Sequence, residues 1–280
     1  MTSLLAAEAV AASPRGAFAA KKADSVKLLE NLKLDHGPIE DIAAFLLIAE
    51  KAMSDLGITV FISPISELAR VCDANPNTWG WFSPILDVRI APLDATNSYS
   101  ITGCDRTGQV VVLQGGRLFD TGEKSLQQIA DDQSIYYGVA RNPTDDELRC
   151  QLPAPMASTL KGRLHYSGGL WVNPSYRGRG FPAIMERISR ALALGWWGTN
   201  HTFSFISDSL AGSPVFSAYG YKNIQPSYSI FKGTAELYKG SLIWMDSESL
   251  AADLKEFTSN GFAKVDRAVV DRRGKNAAAS

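Results

Sequence analysis

The segment Leu170–Ile184, LWVNPSYRGRGFPAI, constrains this chain more than any other. A strand-forming run ends at Val172, a turn rich in Gly, Pro and Asn follows, and a helix starts at Phe181. A strand, a Gly-rich turn and a helix in that order expose backbone N–H groups at the positive end of the helix dipole. Gly178 and Gly180 let the backbone approach an anion closely, and Arg177 and Arg179 add positive charge. Such a turn suits a diphosphate held without a metal. It is not a P-loop, because no Gly-Lys-Ser or Gly-Lys-Thr follows, and G-x-G-x-x-G is absent.

The rest of the chain narrows the class. Its 280 residues are 45% hydrophobic and 20% charged, enough for a core of ordinary size. A net charge of −1 offers no concentrated basic face, so a nucleic-acid partner is not expected. Cys72, Cys104 and Cys150 are widely spaced, which suits reduced thiols and a cytoplasmic location. His36, His165 and His201 show no metal-ligand spacing, so no metal is expected. No apolar run approaches the ~20 residues of a membrane span. The start, MTSLLAAEAVAASPRGAFAAKK, lacks a basic n-region and a strong apolar core, so it does not read as a signal peptide.

Periodicity predicts an order of elements. Helices are expected at Pro38–Leu56, from Ser63-Pro64 to about Val71, at Phe181–Leu194 with Gly195 as the stop, at Pro214–Tyr219, and at Ser247–Ser259 with Ser247 as N-cap. Strands are expected at Ile58–Ile62, Ser98–Cys104, Val110–Leu118, Leu164–Val172, Thr202–Ile206, Tyr228–Phe231 and Leu242–Met245, with a short one at Ile135–Tyr137. Asp105-Arg106-Thr107-Gly108 joins two of these as a hairpin. The pair Gly168-Gly169 inside a strand marks a bulge or a ligand's close approach. The expected organisation is a tail over 1–37, weakly helical or disordered, one mixed α/β domain over 38–262 with an insertion near 120–160, and a disordered basic tail over 263–280.

The V-x-P-x-Y-R-G-R-G run at Val172–Gly180, followed by an amphipathic helix, resembles the acyl-CoA signature of the GNAT superfamily of acyl-CoA-dependent N-acyltransferases, Arg/Gln-x-x-Gly-x-Gly/Ala. FSAYGYK, from Phe216 to Lys222, resembles the short helix and tail that follow that signature. The specific match covers Tyr166–Lys222. The resemblance implies a central, mostly antiparallel α/β (α+β) sheet flanked by helices, with a splayed strand pair that binds the coenzyme. It implies that Arg177, Gly178, Arg179 and Gly180 hold the diphosphate of acetyl-CoA or another acyl-CoA. It also implies that Trp171 and Val172 pair with the pantetheine arm, and that Ser209 stands where many members have a coenzyme-contacting Asn.

Three positions depart from that pattern. The final Gly/Ala of the signature is Pro182, which has no N–H. The Tyr that often protonates the leaving thiolate is Phe216. The strand position that often holds a Glu base is Tyr166, with His165 beside it. Asp208, at a strand end beside the expected cleft, is the other candidate for deprotonating the amine. The expected function is transfer of an acyl group to a small-molecule or peptide amine, with a homodimer as an open possibility. Two alternatives stand beside it. One is a silent module that binds a coenzyme or a protein. The other is an enzyme with an acyl carrier protein as donor, docked on Lys161, Arg163, Arg187 and Arg190. The aromatic cluster Trp79, Trp81, Phe82, Tyr136 and Tyr137 is either an acceptor pocket or core.

Overall fold

The computed structural model describes residues 25–30 and 32–260. The basic tail expected at 263–280, and residues 1–24 of the expected N-terminal tail, lie outside the described residues.

The elements run in the order β1 (Val26–Lys27), α1 (Ile39–Asp55), β2 (Thr59–Ser63), α2 (Ser66–Ala74), α3 (Pro76–Trp79), β3 (Ser98–Cys104), β4 (Val110–Ser125), α4 (Leu126–Asp131), α5 (Ser134–Tyr137), β5 (Leu148–Gln151), β6 (Lys161–Val172), α6 (Phe181–Trp197), β7 (His201–Ser207), α7 (Pro214–Tyr219), β8 (Asn223–Lys232), β9 (Ala235–Asp246) and α8 (Ser247–Asn260). The strands form one nine-stranded sheet in the order β1-β2-β3-β4-β6-β7-β9-β8-β5. Every neighbouring pair is antiparallel except β6 and β7, which the α6 crossover makes parallel.

Each face of the sheet carries its own core. On one face Leu68, Leu86, Ile129, Tyr136 and Ala157 cover Leu164, Tyr166, Phe203, Phe205 and Tyr228. On the other, α1, α6 and α8 bring Phe45, Ile184, Ile188 and Leu250 onto Tyr99, Ile101, Val112 and Ile206. The alternation along β7 assigns Phe203 and Phe205 to the first face and Thr202 and Ile206 to the second, as a pleated strand requires.

The structure revises several sequence expectations. Ile135–Tyr137 is not a strand but part of the short helix α5, entered through Gln133 at φ 65° and closed by Gly138. The side chain of Gln133 replaces the missing strand pairing by bonding the backbone of Ala130 and Cys150. Helix α6 does not stop at Gly195 but runs to Trp197 and ends at Gly198. Gly195 is there for close approach. Its carbonyl accepts from the N–H groups of Asp35 and His36, and a Cβ would lie 2.4 Å from Leu34. Residues 25–30 and 32–37 are therefore not a free tail: Val26 and Lys27 pair with Ile62 and Phe61, Leu28 is fully buried, and Asp35 and His36 are held on Gly195. The stretch 120–160 carries the end of β4, α4, α5 and β5, and β5 closes the far edge of the sheet against β8.

Candidate functional site

Strands β6 and β7 are paired over three residues only: Leu164 with His201, His165 with Thr202, and Tyr166 with Phe203. Beyond Tyr166, β6 continues to Val172 along β4, and β7 continues to Ser207 along β9. The two strands therefore part, leaving a wedge between two backbone edges that no other strand occupies. A bulge in β6 sits at the base of the wedge, where Leu113 opposes Trp171 but Gly115 opposes Gly168. The extra residue falls at Gly168-Gly169, which answers the sequence alternative with a bulge.

The turn from β6 into α6 borders this wedge. Gly178 and Gly180 have φ of 78° and 79°, the left-handed region that glycine enters without strain. The N–H groups of Gly178, Arg179 and Gly180 donate to nothing among the described residues. Phe181, first residue of α6, has no intrahelical acceptor for its own N–H. Pro182 occupies the first turn, where its lost donor costs the helix nothing. Arg177 is exposed and donates to the carbonyls of Val172 and Thr78, each at 3.2 Å. Arg179 lies over the Tyr176 ring at 4.5 Å, and the Tyr176 hydroxyl donates to Asp105 in the β3–β4 hairpin at 2.7 Å. The turn is thus pinned at its sides while these backbone donors have no acceptor among the described residues.

The residues expected to act as bases fare differently. His165 is wholly buried on the α6 face, with Nδ1 against Thr202 Oγ1 at 3.1 Å and Nε2 against Tyr99 Oη at 3.2 Å. Burial, then the charge of Arg190, pushes its pKa down to about 3. It is a neutral core histidine out of reach of an entering amine, which corrects the sequence candidate. Tyr166 is buried at the vertex of the wedge, and its hydroxyl donates to Ser83 Oγ at 3.0 Å. Burial raises its pKa, so it stays a phenol and is no base. Asp208 is exposed at the end of β7 and accepts from Ser241 Oγ at 3.2 Å. Ser209 is exposed beside it, its hydroxyl 2.9 Å from that of Ser207. Phe216 is half-buried against the α6-side core, and Tyr219 is buried there too.

Behind the wedge lies a polar group that sequence reading did not mark. Glu186 of α6 is buried, and its carboxylate accepts from Gln114 Nε2 and Ser167 Oγ, each at 3.0 Å. Burial raises its pKa. Gln114 Oε1 has no partner among the described residues. The only sequence signal was a charge interrupting the α6 stripe.

The expected carrier-protein patch does not assemble. Arg187 and Arg190 are buried and bond Asp253 of α8 and the carbonyls of Ala183, Ala218 and Tyr219. Only Lys161 and Arg163 remain on the surface. The aromatic cluster divides as well. Tyr136 is core, its hydroxyl 2.9 Å from that of Tyr228, and Tyr137 donates to the carbonyl of Leu148. Trp79 belongs to the same core with Phe82 packed against it, and its ring stacks on Trp171 at 5.8 Å and 7°, whereas Trp81 stays exposed against Tyr238.

No family model and no curated protein matches this chain. Among solved structures it is similar to acetyltransferases. NAA60 of Arabidopsis thaliana in complex with acetyl-CoA is 12% identical over 68% of this chain and 98% of its own, with a TM-score of 0.40. AAC(6')-Ib in complex with paromomycin and acetyl-CoA is 12% identical over 69% and 95%, also at 0.40. The ribosomal-protein-S5-alanine acetyltransferase of Vibrio fischeri is 8% identical over 69% and 94%, at 0.39. Among the described residues no helix is long and apolar enough to cross a membrane, and no cluster of His, Cys, Asp or Glu could hold a metal.

Proposed function

We propose that the protein is an acyl-CoA-dependent N-acyltransferase, with acetyl as the acyl group and an amine as the acceptor. The observation that carries this reading is the parting of β6 from β7 after Tyr166 and Phe203, beside a helix start whose N–H groups have no acceptor among the described residues. A thioester arm fits such a wedge as an added strand, because free backbone edges supply its hydrogen bonds. The N–H groups of Gly178 to Phe181 would take the diphosphate, with Arg177 and Arg179 beside them. Trp171 and Val172 would lie along the arm, and Ser209 at the opposite lip.

In the reaction the amine nitrogen attacks the thioester carbonyl, a C–N bond forms and the C–S bond breaks. The proton lost by nitrogen reaches the departing thiolate through water, since neither Phe216 nor the buried Tyr219 offers one. Asp208 is the exposed carboxylate at the mouth and the group suited to drawing that proton off the amine. Proximity in the wedge supplies most of the acceleration.

Calorimetric titration with acetyl-CoA tests the reading. Wild-type protein is expected to bind in the micromolar range. Arg177→Glu is expected to bind about 10- to 100-fold more weakly, the worth of a lost charge-assisted hydrogen bond. Absence of binding to acetyl-CoA and to longer acyl-CoAs overturns the proposal. Phe216 favours a second reading, a module that binds coenzyme without turnover. Binding with no thiol released across a broad amine panel would select it.

A further inference from the structure

No step of the transfer uses Glu186, yet its carboxylate sits where β6 changes register. It accepts from Gln114 Nε2 of β4 and from Ser167 Oγ of β6, each at 3.0 Å, and Gln114 Nε2 also donates to Ser167 Oγ at 2.9 Å. Ser189 of α6 adds a contact to Ser167 Oγ at 3.1 Å. Ser167 precedes the Gly168-Gly169 bulge and is the first residue of β6 beyond the pairing with β7. Gln114 is the β4 residue that the bulge leaves opposite two, Gly169 and Leu170. One side chain of α6 therefore holds both strands at the point where β6 departs from β7. The bulge also decides what β6 presents further on. A Cβ on Gly168 would meet the Tyr166 ring, and one on Gly169 would meet Leu68 and Leu86, so both face the first core. The alternation shifts by one residue: Ser167 faces α6, Trp171 faces the first core, and Leu170 and Val172 face α6.

Glu186 is a costly way to fasten a helix. It is buried, Arg187 and Arg190 pair with Asp253 instead, and Arg190 donates to the backbone carbonyl of Glu186 and not to its carboxylate. An apolar side chain would fasten α6 as well or better, since Ile184, Met185 and Ile188 beside it already pack on the sheet. Gln114, with its amide N–H groups turned to Glu186 and Ser167, leaves its Oε1 without a partner among the described residues. Folding alone explains neither the buried carboxylate nor that oxygen. We propose that Glu186 is a positioning residue for the transfer. Its carboxylate clamps Gln114 and Ser167, fixes the bulge, and so fixes the backbone edge from Ser167 to Val172 along which the thioester arm lies. It touches neither the arm nor the amine. The inference rests on the acyltransferase reading and adds the residue that sets the shape of its wedge.

Three variants test the proposal. Glu186→Leu removes the clamp and the buried charge together, Ser167→Ala removes one partner without adding bulk, and Glu186→Gln keeps an acceptor. Amide hydrogen exchange over residues 167–172 is measured without ligand, beside the urea midpoint. In Glu186→Leu the exchange is expected to speed up about 10-fold, the worth of one or two lost hydrogen bonds, while the midpoint is unchanged or raised. Ser167→Ala is expected to speed it in the same direction, and Glu186→Gln to stay near wild type. Thiol release from acetyl-CoA is followed with an amine that the wild type turns over. In Glu186→Leu kcat is expected to fall about 10- to 100-fold, with acetyl-CoA affinity by calorimetry changed far less, and Glu186→Gln is expected to retain most of kcat. Unchanged exchange or unchanged kcat in Glu186→Leu overturns the proposal and leaves the acyltransferase reading intact. So does a fall in midpoint that carries kcat down with it in all three variants, the behaviour of a merely structural residue. If acetyl-CoA does not bind the wild type, the reading beneath fails. In that case, or where coenzyme binds without turnover, exchange alone decides the clamp: faster exchange in Glu186→Leu that Glu186→Gln does not share supports it, and its absence overturns it.

Discussion

His165 and Asp208 are both candidate bases by residue type, and burial separates them. His165 is boxed in by Thr202, Tyr99 and Ser189 at 3.1–3.5 Å, so its charged form has no room for water. That has a consequence for stability. The histidine is neutral in the fold down to about pH 3, whereas in the unfolded chain it binds a proton near pH 6.5. Between those values the unfolded state holds more protons, so stability from this group is complete above about pH 6.5 and is lost as pH falls toward 3. His201 is lowered in the same direction by burial. Urea unfolding from pH 7 to 4.5 should show falling stability, and His165→Gln should flatten that slope. A slope unchanged by the substitution would mean that other groups carry the acid sensitivity. Glu186 acts with the opposite sign: its raised pKa makes its contribution largest at low pH and smaller as pH rises through that raised value.

At the scale of elements, some helix ends follow local chemistry that the chain states outright. Ser213 caps α7 through Phe216 N, and Gly220 closes it in the left-handed conformation. Helix α8 differs by one residue. The Ser249 N–H and hydroxyl bond the carboxylate of Asp246 at 2.7 and 3.2 Å, so Asp246 rather than Ser247 caps that start. Asp246→Ala should cost about 0.5–2 kcal/mol in equilibrium unfolding, and Asp246→Asn much less. Equal losses in the two variants would assign the effect to charge instead of the cap bond. The ring contacts of the segment after α3 were not readable in the same way. Trp79 on Trp171 and Trp81 on Tyr238 join residues about 90 and 160 positions apart, and no local pattern encodes such pairs.

Across the whole molecule, the layer on the α6 face depends on charges that a stripe analysis places on the surface. Arg187 and Arg190 are held by Asp253, with N–O distances of 2.9 and 3.5 Å, and this ties α8 to α6. Asp253→Ala would leave two buried cations without their carboxylate, and should cost about 3–5 kcal/mol, read as a fall in the urea midpoint. The triple change Asp253→Leu, Arg187→Met and Arg190→Met should recover much of that loss. A small effect of Asp253→Ala alone would mean that the backbone acceptors suffice.

The strand, turn and helix of Leu170–Ile184, the β3–β4 hairpin and most element positions could be read from neighbouring residues alone, because caps, turns and periodicity act over a few residues. The turn Arg177–Gly180 and the bulge at Gly168-Gly169 were marked in the same way. Where β6 and β7 part, that Arg187 and Arg190 are core residues, and that β5 closes the sheet against β8 emerged from the folded chain. So did the burial of His165 and the exposure of Asp208 to solvent. The reason is common to all of these: strand pairing, desolvation and ring contacts arise between residues distant in the chain, and their strength depends on what else is packed against them.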